Sequence, residues 1–165
     1  MENASPQHYC LDTNTWIYLW RYYYPIDVFP SVWEKIDQAV KTGMITAPKE
    51  VYVELEAGRD DLFDWVKKRK YFFIELDQSQ QQHVVKIMEK FQNFVDKDKP
   101  IPDADPFVIA LAISKNLTVV TMERLKNIHE SNKNARPNIP NVCEHFSVPF
   151  INKIPDFLRA LRWSF

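Results

Sequence analysis

The sequence contains very little glycine: Gly43 and Gly58 are its two glycines, against 11 prolines among 165 residues. Glycine-rich phosphate loops need several glycines at fixed spacing, because a side chain there would keep the backbone away from the phosphate. Neither G-x-G-x-x-G nor G-x-x-x-x-G-K-[ST] can be written with these two residues. The sequence therefore excludes a nucleotide site built on a glycine-rich turn.

Cysteine is scarce, and long apolar runs and an excess of either charge are missing. Cys10 and Cys143 are too few and too far apart for a zinc quartet or a disulfide framework. No stretch of about 18 apolar residues and no signal-like N-terminus occurs, so we expect a reduced cytoplasmic protein with no membrane partner. Lys and Arg number 21 and Asp and Glu 22. A protein that coats nucleic acid is usually basic, so binding here would need a local patch or a bound divalent cation.

The composition is that of a globular chain, with 45% hydrophobic and 26% charged residues, and its length predicts one domain over residues 1–165 with a sizeable core. Apolar strands alternate with amphipathic helices, which predicts a three-layer α/β sandwich around a short parallel sheet. The predicted strands are 9–11, 44–47 and 117–121. The first predicted helix begins at a Thr13/Asn14 cap. Further helices are predicted over 30–43, 48–58, 60–70, 79–95, 105–113 and 155–163. Residues 126–145 are predicted as a loop.

Acidic residues stand at or near the ends of all three predicted strands. Asp12 follows the first strand, Glu54 lies in the helix after the second, and Glu123 follows the third. Asp105, as N-cap, opens the helix that leads to the third strand, and Asp103 precedes it by two residues. Ligand sites of open α/β sheets lie beyond the carboxyl ends of the strands, so we expect these five carboxylates to meet there.

Such a cluster of like charges is strongly repulsive unless something neutralises it. A hard divalent cation with oxygen ligands does so, and Mg²⁺ or Mn²⁺, as one or two ions, suits carboxylates that leave room for water and a phosphate. Two such ions can activate water and stabilise a leaving oxygen. Asn14 and Thr121 are candidates for hydrogen bonds to a ligand carboxylate or to metal-bound water.

Each residue of this set also has an ordinary structural explanation. Asp105 could simply cap its helix, as Asn14 could cap the first one, and Glu54 or Glu123 alone could be a solvated surface residue. Asp12 is the exception, because an acid directly after an apolar strand is poorly placed for solvation. The functional interpretation therefore depends on the set rather than on any one member.

The acids lie in four motifs that resemble those of PIN-domain ribonucleases. The motifs are Leu11-Asp12-Thr13-Asn14, VYVEL around Glu54, DADPFVIALA around Asp105 and VVTMER around Glu123. With the stretches RYYYP, FPSVW and IPNVC, nearly the whole chain resembles a bacterial and archaeal PIN-like subfamily once catalogued as uncharacterised.

The resemblance implies a PIN-like fold and a metal-dependent endoribonuclease, in many members the VapC-type toxin of a type II toxin–antitoxin pair. Asp12, Glu54, Asp105 and Glu123 would map onto the catalytic, metal-binding acids. The fourth acid is more often aspartate in that family, and its replacement by the longer Glu123 leaves Asp103 as a candidate compensating ligand.

The resemblance also implies partners. Besides the RNA substrate these are a cognate antitoxin and a second copy of the chain. The aromatic residues of the predicted helices are either interface or ordinary core; they are Trp16, Trp20, Tyr22, Tyr23 and Trp33. RNA would be bound by the cations that follow the third strand, which are Arg124, Lys126, Lys133 and Arg136.

Two other functions compete with RNA hydrolysis. Asp12-Thr13-Asn14-Thr15 resembles the aspartyl nucleophile motif of haloacid-dehalogenase-type phosphatases, but Asn14 stands where that chemistry uses a second aspartate. A PIN-like scaffold that binds RNA or protein without catalysis is the other alternative, because a fold does not fix a function.

Overall fold

A computed structural model describes residues 6–128 and 135–165 of the chain. Its centre is a sheet of five parallel strands in the order β3-β2-β1-β4-β5. The strands are β1 (Tyr9–Leu11), β2 (Ile45–Pro48), β3 (Phe73–Ile74), β4 (Thr118–Val120) and β5 (Phe150–Ile151). The central strands β1, β2 and β4 are buried along their whole length, as expected for a sheet covered on both faces.

Helices cover this sheet in two groups. They are α1 (Thr13–Tyr18), continued by a π-helical turn over Leu19–Tyr23, α2 (Pro30–Lys41), α3 (Lys49–Gly58), α4 (Asp61–Lys67), α5 (Gln78–Lys90), α6 (Asp105–Lys115), α7 (Ile139–His145) and α8 (Ile154–Ala160). A short 3₁₀ turn spans Lys70–Phe72. Helices α2 and α3 pack on β2, and α1 and α4 pack against α3, while α6 packs on β1, β2 and β4 and carries α5 and α7.

The strand order places a topological switch point between β1 and β4. From β1 the chain moves outward to β2 and β3, and then returns to the other side of β1 for β4 and β5. Right-handed crossovers in opposite directions put the two helix groups on opposite faces of the sheet, which gives three layers. The fold is therefore the predicted α/β sandwich, and its crevice lies beyond the carboxyl ends of β1 and β4.

The three predicted strands are confirmed, with shifts of one residue at their ends. The interpretation of residues 126–145 as a loop is wrong for its last part, because Asn138 caps helix α7 and Pro140 fits its first turn. The sequence did not predict β3 and β5; at two residues each they are too short to show a period.

Two predicted helix caps are also wrong. The N-cap of α1 is Asp12, whose carboxylate accepts the Thr15 backbone N–H at 2.7 Å, so neither Thr13 nor Asn14 caps this helix. Asp105 is the first residue of α6, and Ala104 occupies the cap position. Helix α4 ends at Lys67 and α5 at Lys90, both earlier than predicted.

The aromatic residues divide between core and surface. Trp16 and Trp33 are buried in the core, and each packs its ring against that of Trp65. Trp20 is half-buried, whereas Tyr22 and Tyr23 are exposed. Of the five aromatic residues considered for an interface, the two buried tryptophans therefore serve the core. Within the described ranges, no helix has the length and hydrophobicity needed to cross a membrane.

Candidate functional site

The predicted acids come from four elements that end or begin at the carboxyl edge of the sheet. Asp12 follows β1, and the Asp12 backbone N–H extends the strand pairing by donating to the Val120 carbonyl at 3.1 Å. Glu123 follows the neighbouring strand β4, Glu54 lies in α3 after β2, and Asp105 opens α6. The strand ends at the switch point thus bring residues far apart in sequence to one crevice.

Asp12 is almost completely buried and fully hydrogen-bonded. Its Oδ1 accepts the Thr15 N–H at 2.7 Å and the Thr15 hydroxyl at 2.5 Å, and its Oδ2 accepts the Thr121 hydroxyl at 2.7 Å. The pKa of Asp12 is raised to about 6. Burial is the main cause and the Glu123 charge adds to it, while the hydrogen bonds from Thr121 and Thr15 act in the opposite direction. The carboxylate is therefore fixed in one orientation but is costly to ionise.

Asp105 is the most strongly perturbed acid of the site. Burial above all, and then the charges of four neighbouring acids, together raise its pKa to about 8. The four are Asp12, Glu123, Glu54 and Asp103. Within residues 6–128 and 135–165, no hydrogen-bond donor reaches the Asp105 carboxylate. Asp105 is thus a half-buried acid on which four other acids act, with no cation of the described chain paired to it.

Glu54 and Glu123 are each bound by a backbone amide across the crevice. Glu54 Oε1 accepts the N–H of Ala104 at 2.5 Å, which ties α3 to the start of α6. Glu123 Oε2 accepts the N–H of Ile139 at 2.6 Å, which ties the end of β4 to the start of α7. Both amides belong to the ends of helices, where backbone N–H groups lack helical partners, so the glutamates act as remote helix caps.

Asp103 has cationic partners instead. Its Oδ1 accepts Lys99 Nζ at 2.5 Å, and its Oδ2 accepts the Asp96 N–H at 3.0 Å and lies 3.4 Å from Arg136 Nη2. The Asp103 side chain is only 9% exposed. Its charge is therefore already balanced by two basic side chains, unlike that of Asp105.

Thr121 and Asn14 differ in their placement. Thr121 is buried, and besides its bond to Asp12 its Oγ1 accepts the Glu123 N–H at 3.2 Å, so one hydroxyl links two acids. Asn14 is exposed on the first turn of α1.

Sequence reasoning did not single out Thr15. This buried residue binds Asp12 with both its N–H and its hydroxyl, and the hydroxyl also lies 3.0 Å from the Val120 carbonyl oxygen. Its place three residues after Asp12 is the spacing of a helix N-cap bond, which is the signal that could have found it.

A family model matches residues 9–165 of the chain and describes its members as a domain of unknown function, DUF4411. The chain belongs to this DUF4411 family. A comparison with curated proteins gives no significant match. Among solved structures, the chain is similar to one in the crystal structure of VapBC2 from Rickettsia felis bound to a DNA fragment from their promoter. That similarity has a TM-score of 0.49 and 17% identity, and covers 88% of this chain and 98% of the other.

The cations predicted to bind RNA in this DUF4411 chain differ in their exposure and in their hydrogen bonds. Arg124 is exposed, and Lys126 Nζ donates to the Arg136 carbonyl at 2.9 Å. Arg136 Nε donates to the Phe94 carbonyl at 3.2 Å, so Arg136 links the segment before α7 to the segment after α5. Lys133 lies outside the described residues.

The donor set of the DUF4411 site suits a hard divalent cation, because Asp12, Glu54, Asp105 and Glu123 offer carboxylate oxygens and no donor among the described residues reaches Asp105. In the described ranges no three acidic, histidine or cysteine side chains converge on one point, since Glu54 and Glu123 face backbone amides. The acids therefore fit a metal in chemistry, and the glutamate side chains would have to exchange an amide for the ion.

Proposed function

We propose that this DUF4411 protein is a PIN-like, metal-dependent endoribonuclease that hydrolyses RNA phosphodiester bonds with Mg²⁺ or Mn²⁺. The observation that carries the proposal is Asp105: it is half-buried, the charges of four neighbouring acids act on it, and no donor of the described chain reaches it. A protein gains no stability from such a repulsive arrangement, and perturbed acids of this kind cluster at functional sites. A divalent cation would remove the repulsion.

Asp12 and Asp105 would be the main ligands, with Glu54 and Glu123 completing the set. A bound divalent cation supplies an activated water and charge stabilisation for the scissile phosphate. Thr15 and Thr121 hold Asp12 in one rotamer, so the chain fixes the direction of this carboxylate before any ligand arrives.

A non-catalytic PIN-like scaffold is the second candidate, and the amide contacts of the glutamates favour it. Glu54 and Glu123 each satisfy a helix end, which is a structural role that needs no metal. In that case the acids would stabilise the junctions of α6 and α7. Divalent-metal binding separates the two candidates, because a scaffold held by these amide bonds gains nothing from Mn²⁺.

A haloacid-dehalogenase-type phosphatase is disfavoured by the surroundings of Asp12. That chemistry uses a second aspartate, as general acid, two residues after the nucleophilic one, and here Asn14 stands at that position, exposed on the first turn of α1. We therefore expect no phosphoaspartate at Asp12.

The test combines cleavage and metal binding on purified protein. Mixed-sequence single-stranded RNA is incubated with the protein in Mn²⁺, in Mg²⁺ or in EDTA, and Mn²⁺ binding is measured by calorimetry. We expect cleavage in both metals and none in EDTA, and we expect Asp105→Asn to lose both cleavage and Mn²⁺ binding. Asp27→Asn is the matched control, because Asp27 is an exposed aspartate outside the cluster. Absence of cleavage together with absence of Mn²⁺ binding would favour the scaffold.

The toxin role, the antitoxin partner, the homodimer and the cytoplasmic location are part of the same proposal and come from the sequence resemblance. Expression of the wild-type chain should arrest growth, and Asp105→Asn should not. A small reading frame next to this one whose product relieves the arrest would identify the antitoxin. Sedimentation of the purified chain tests the homodimer, for which Tyr22 and Tyr23 are the exposed members of the predicted aromatic set.

A further inference from the structure

Two basic side chains share one buried carboxylate beside the acid cluster. Lys99 Nζ lies 2.5 Å from Asp103 Oδ1, and Arg136 Nη2 lies 3.4 Å from Asp103 Oδ2. The side chains of Lys99 and Arg136 are 48% and 49% exposed, whereas that of Asp103 is 9% exposed. The three residues carry a net positive charge, and the cations are the part that solvent reaches.

Most hydrogen-bond donors of this pair are not used by the described chain. A lysine ammonium has three N–H donors and an arginine guanidinium has five. Lys99 uses one on Asp103, and Arg136 uses one on Asp103 and one on the Phe94 carbonyl. The remaining donors, half-exposed and close together, suit an anion with several acceptor oxygens.

The pair is anchored directly at the candidate site. Asp103 is followed by Ala104, whose N–H is held by Glu54, and then by Asp105. Lys99 Nζ is bound to Asp103 two residues before Asp105, which places the ammonium at the edge of the acid cluster. A nucleic-acid strand that approaches this cluster is repelled by the carboxylates, and cations at its edge offset that repulsion.

Resting on the ribonuclease function proposed above, we propose that Lys99 and Arg136 form a phosphodiester-binding site for a backbone phosphate next to the one that is cleaved. The guanidinium offers a planar fork of donors to two phosphate oxygens, and the ammonium offers a compact charge. Asp103 then serves to hold the two cations at the edge of the site instead of serving as a metal ligand. The rival explanation is that these contacts only fasten the segment before α6 to the segment before α7.

The experiment measures binding of a 5′-labelled single-stranded RNA by fluorescence anisotropy, in EDTA so that nothing is cleaved, over a series of salt concentrations. Lys99→Ala and Arg136→Ala should each weaken binding about tenfold at low salt and reduce the slope of log K against log salt by about 1, because one phosphate contact is lost. Lys99→Arg should retain both affinity and slope. Lys115→Ala is the control, since Lys115 is an exposed lysine at the end of α6 remote from the acids, and should change neither.

Asp103→Asn separates phosphate binding from simple fastening. It removes the shared partner and so should lower Tm as Lys99→Ala does, but it keeps both cations, and the salt slope should stay at the wild-type value. Lys99→Ala and Arg136→Ala should weaken the binding of single-stranded DNA of the same sequence by the same factor as the binding of RNA, because the phosphate is common to both. Unchanged salt slopes for Lys99→Ala and Arg136→Ala would overturn the proposal.

The outcomes also distinguish a failure of this phosphate site from a failure of the proposed ribonuclease function. If the wild type cleaves RNA in Mn²⁺ while the variants bind with unchanged slopes, the phosphate site is wrong and the ribonuclease proposal stands. If the wild type neither binds nor cleaves RNA, both are wrong.

Discussion

Replacing Asp105 by asparagine is expected to stabilise the metal-free protein at neutral pH. The pKa of Asp105 rises from its ordinary value of 3.8 to about 8 in the folded chain. Between these two values the unfolded chain releases a proton that the folded chain retains, so the free energy of unfolding falls by about 1.4 kcal/mol for each pH unit. Asparagine has nearly the same shape and cannot ionise, and therefore escapes this loss.

The magnitude follows from the width of that pH window. At pH 7 the wild type has lost roughly 2–4 kcal/mol that the variant keeps. At pH 4 the unfolded wild type is roughly 40% protonated at this residue, and the difference has fallen to about 0.6 kcal/mol. For a chain of this length the gain at pH 7 corresponds to an increase in Tm of roughly 5–15 °C.

Urea unfolding in EDTA, followed by tryptophan fluorescence at several pH values between 4 and 8, measures this difference. Asp27→Asn should show no such trend, because Asp27 is exposed. Saturating Mn²⁺ should then reverse the order: at 1,000 times Kd it stabilises the wild type by about 4.1 kcal/mol and leaves the variant unchanged. A stability difference that does not vary with pH, or a variant less stable than the wild type at pH 7, would refute the reasoning.

Three further substitutions test how the site and the fold are supported, each by chemical unfolding. Thr121→Val removes the 2.7 Å hydrogen bond to Asp12 and should lower the free energy of unfolding by about 1–3 kcal/mol, whereas Thr121→Ser should retain most of the wild-type stability. Equal stabilities of Thr121→Val and the wild type would contradict this role. Trp16→Ala empties a fully buried position and should cost about 3–5 kcal/mol, and a loss below 1 kcal/mol would show that the site collapses. Arg59→Gly should gain about 1 kcal/mol, because Arg59 has a φ of 47° after α3, and Arg59→Lys should gain nothing.

The strands at the centre of the sheet could be predicted because their signal is local. Residues 9–11 and 118–120 are short apolar or β-branched runs next to polar residues, and both proved to be fully buried. The acid after each such strand follows from the same local pattern, since a parallel sheet gathers its strand ends at one edge. The alternation of such strands with amphipathic helices likewise indicated an α/β fold.

The partners of the acids could not be predicted, because they depend on contacts between distant segments. Nothing local indicates that Glu54 reaches the amide of Ala104, or that Asp103 takes Lys99 and Arg136 as partners. The fate of Asp105 also depends on burial by other elements, which is why a residue that looks like an ordinary helix cap becomes the most perturbed acid of the site.

The sequence by itself therefore determined which residues are acidic and which strand ends carry them, because these are properties of short segments. Only the tertiary structure decided which of those acids are hydrogen-bonded by amides or paired with cations, and which one has no such partner in the part of the chain that the structure describes. The physical reason is that hydrogen bonding and the desolvation of a charge depend on what surrounds a carboxylate in space, and here those surroundings come from segments up to about a hundred residues away in the chain.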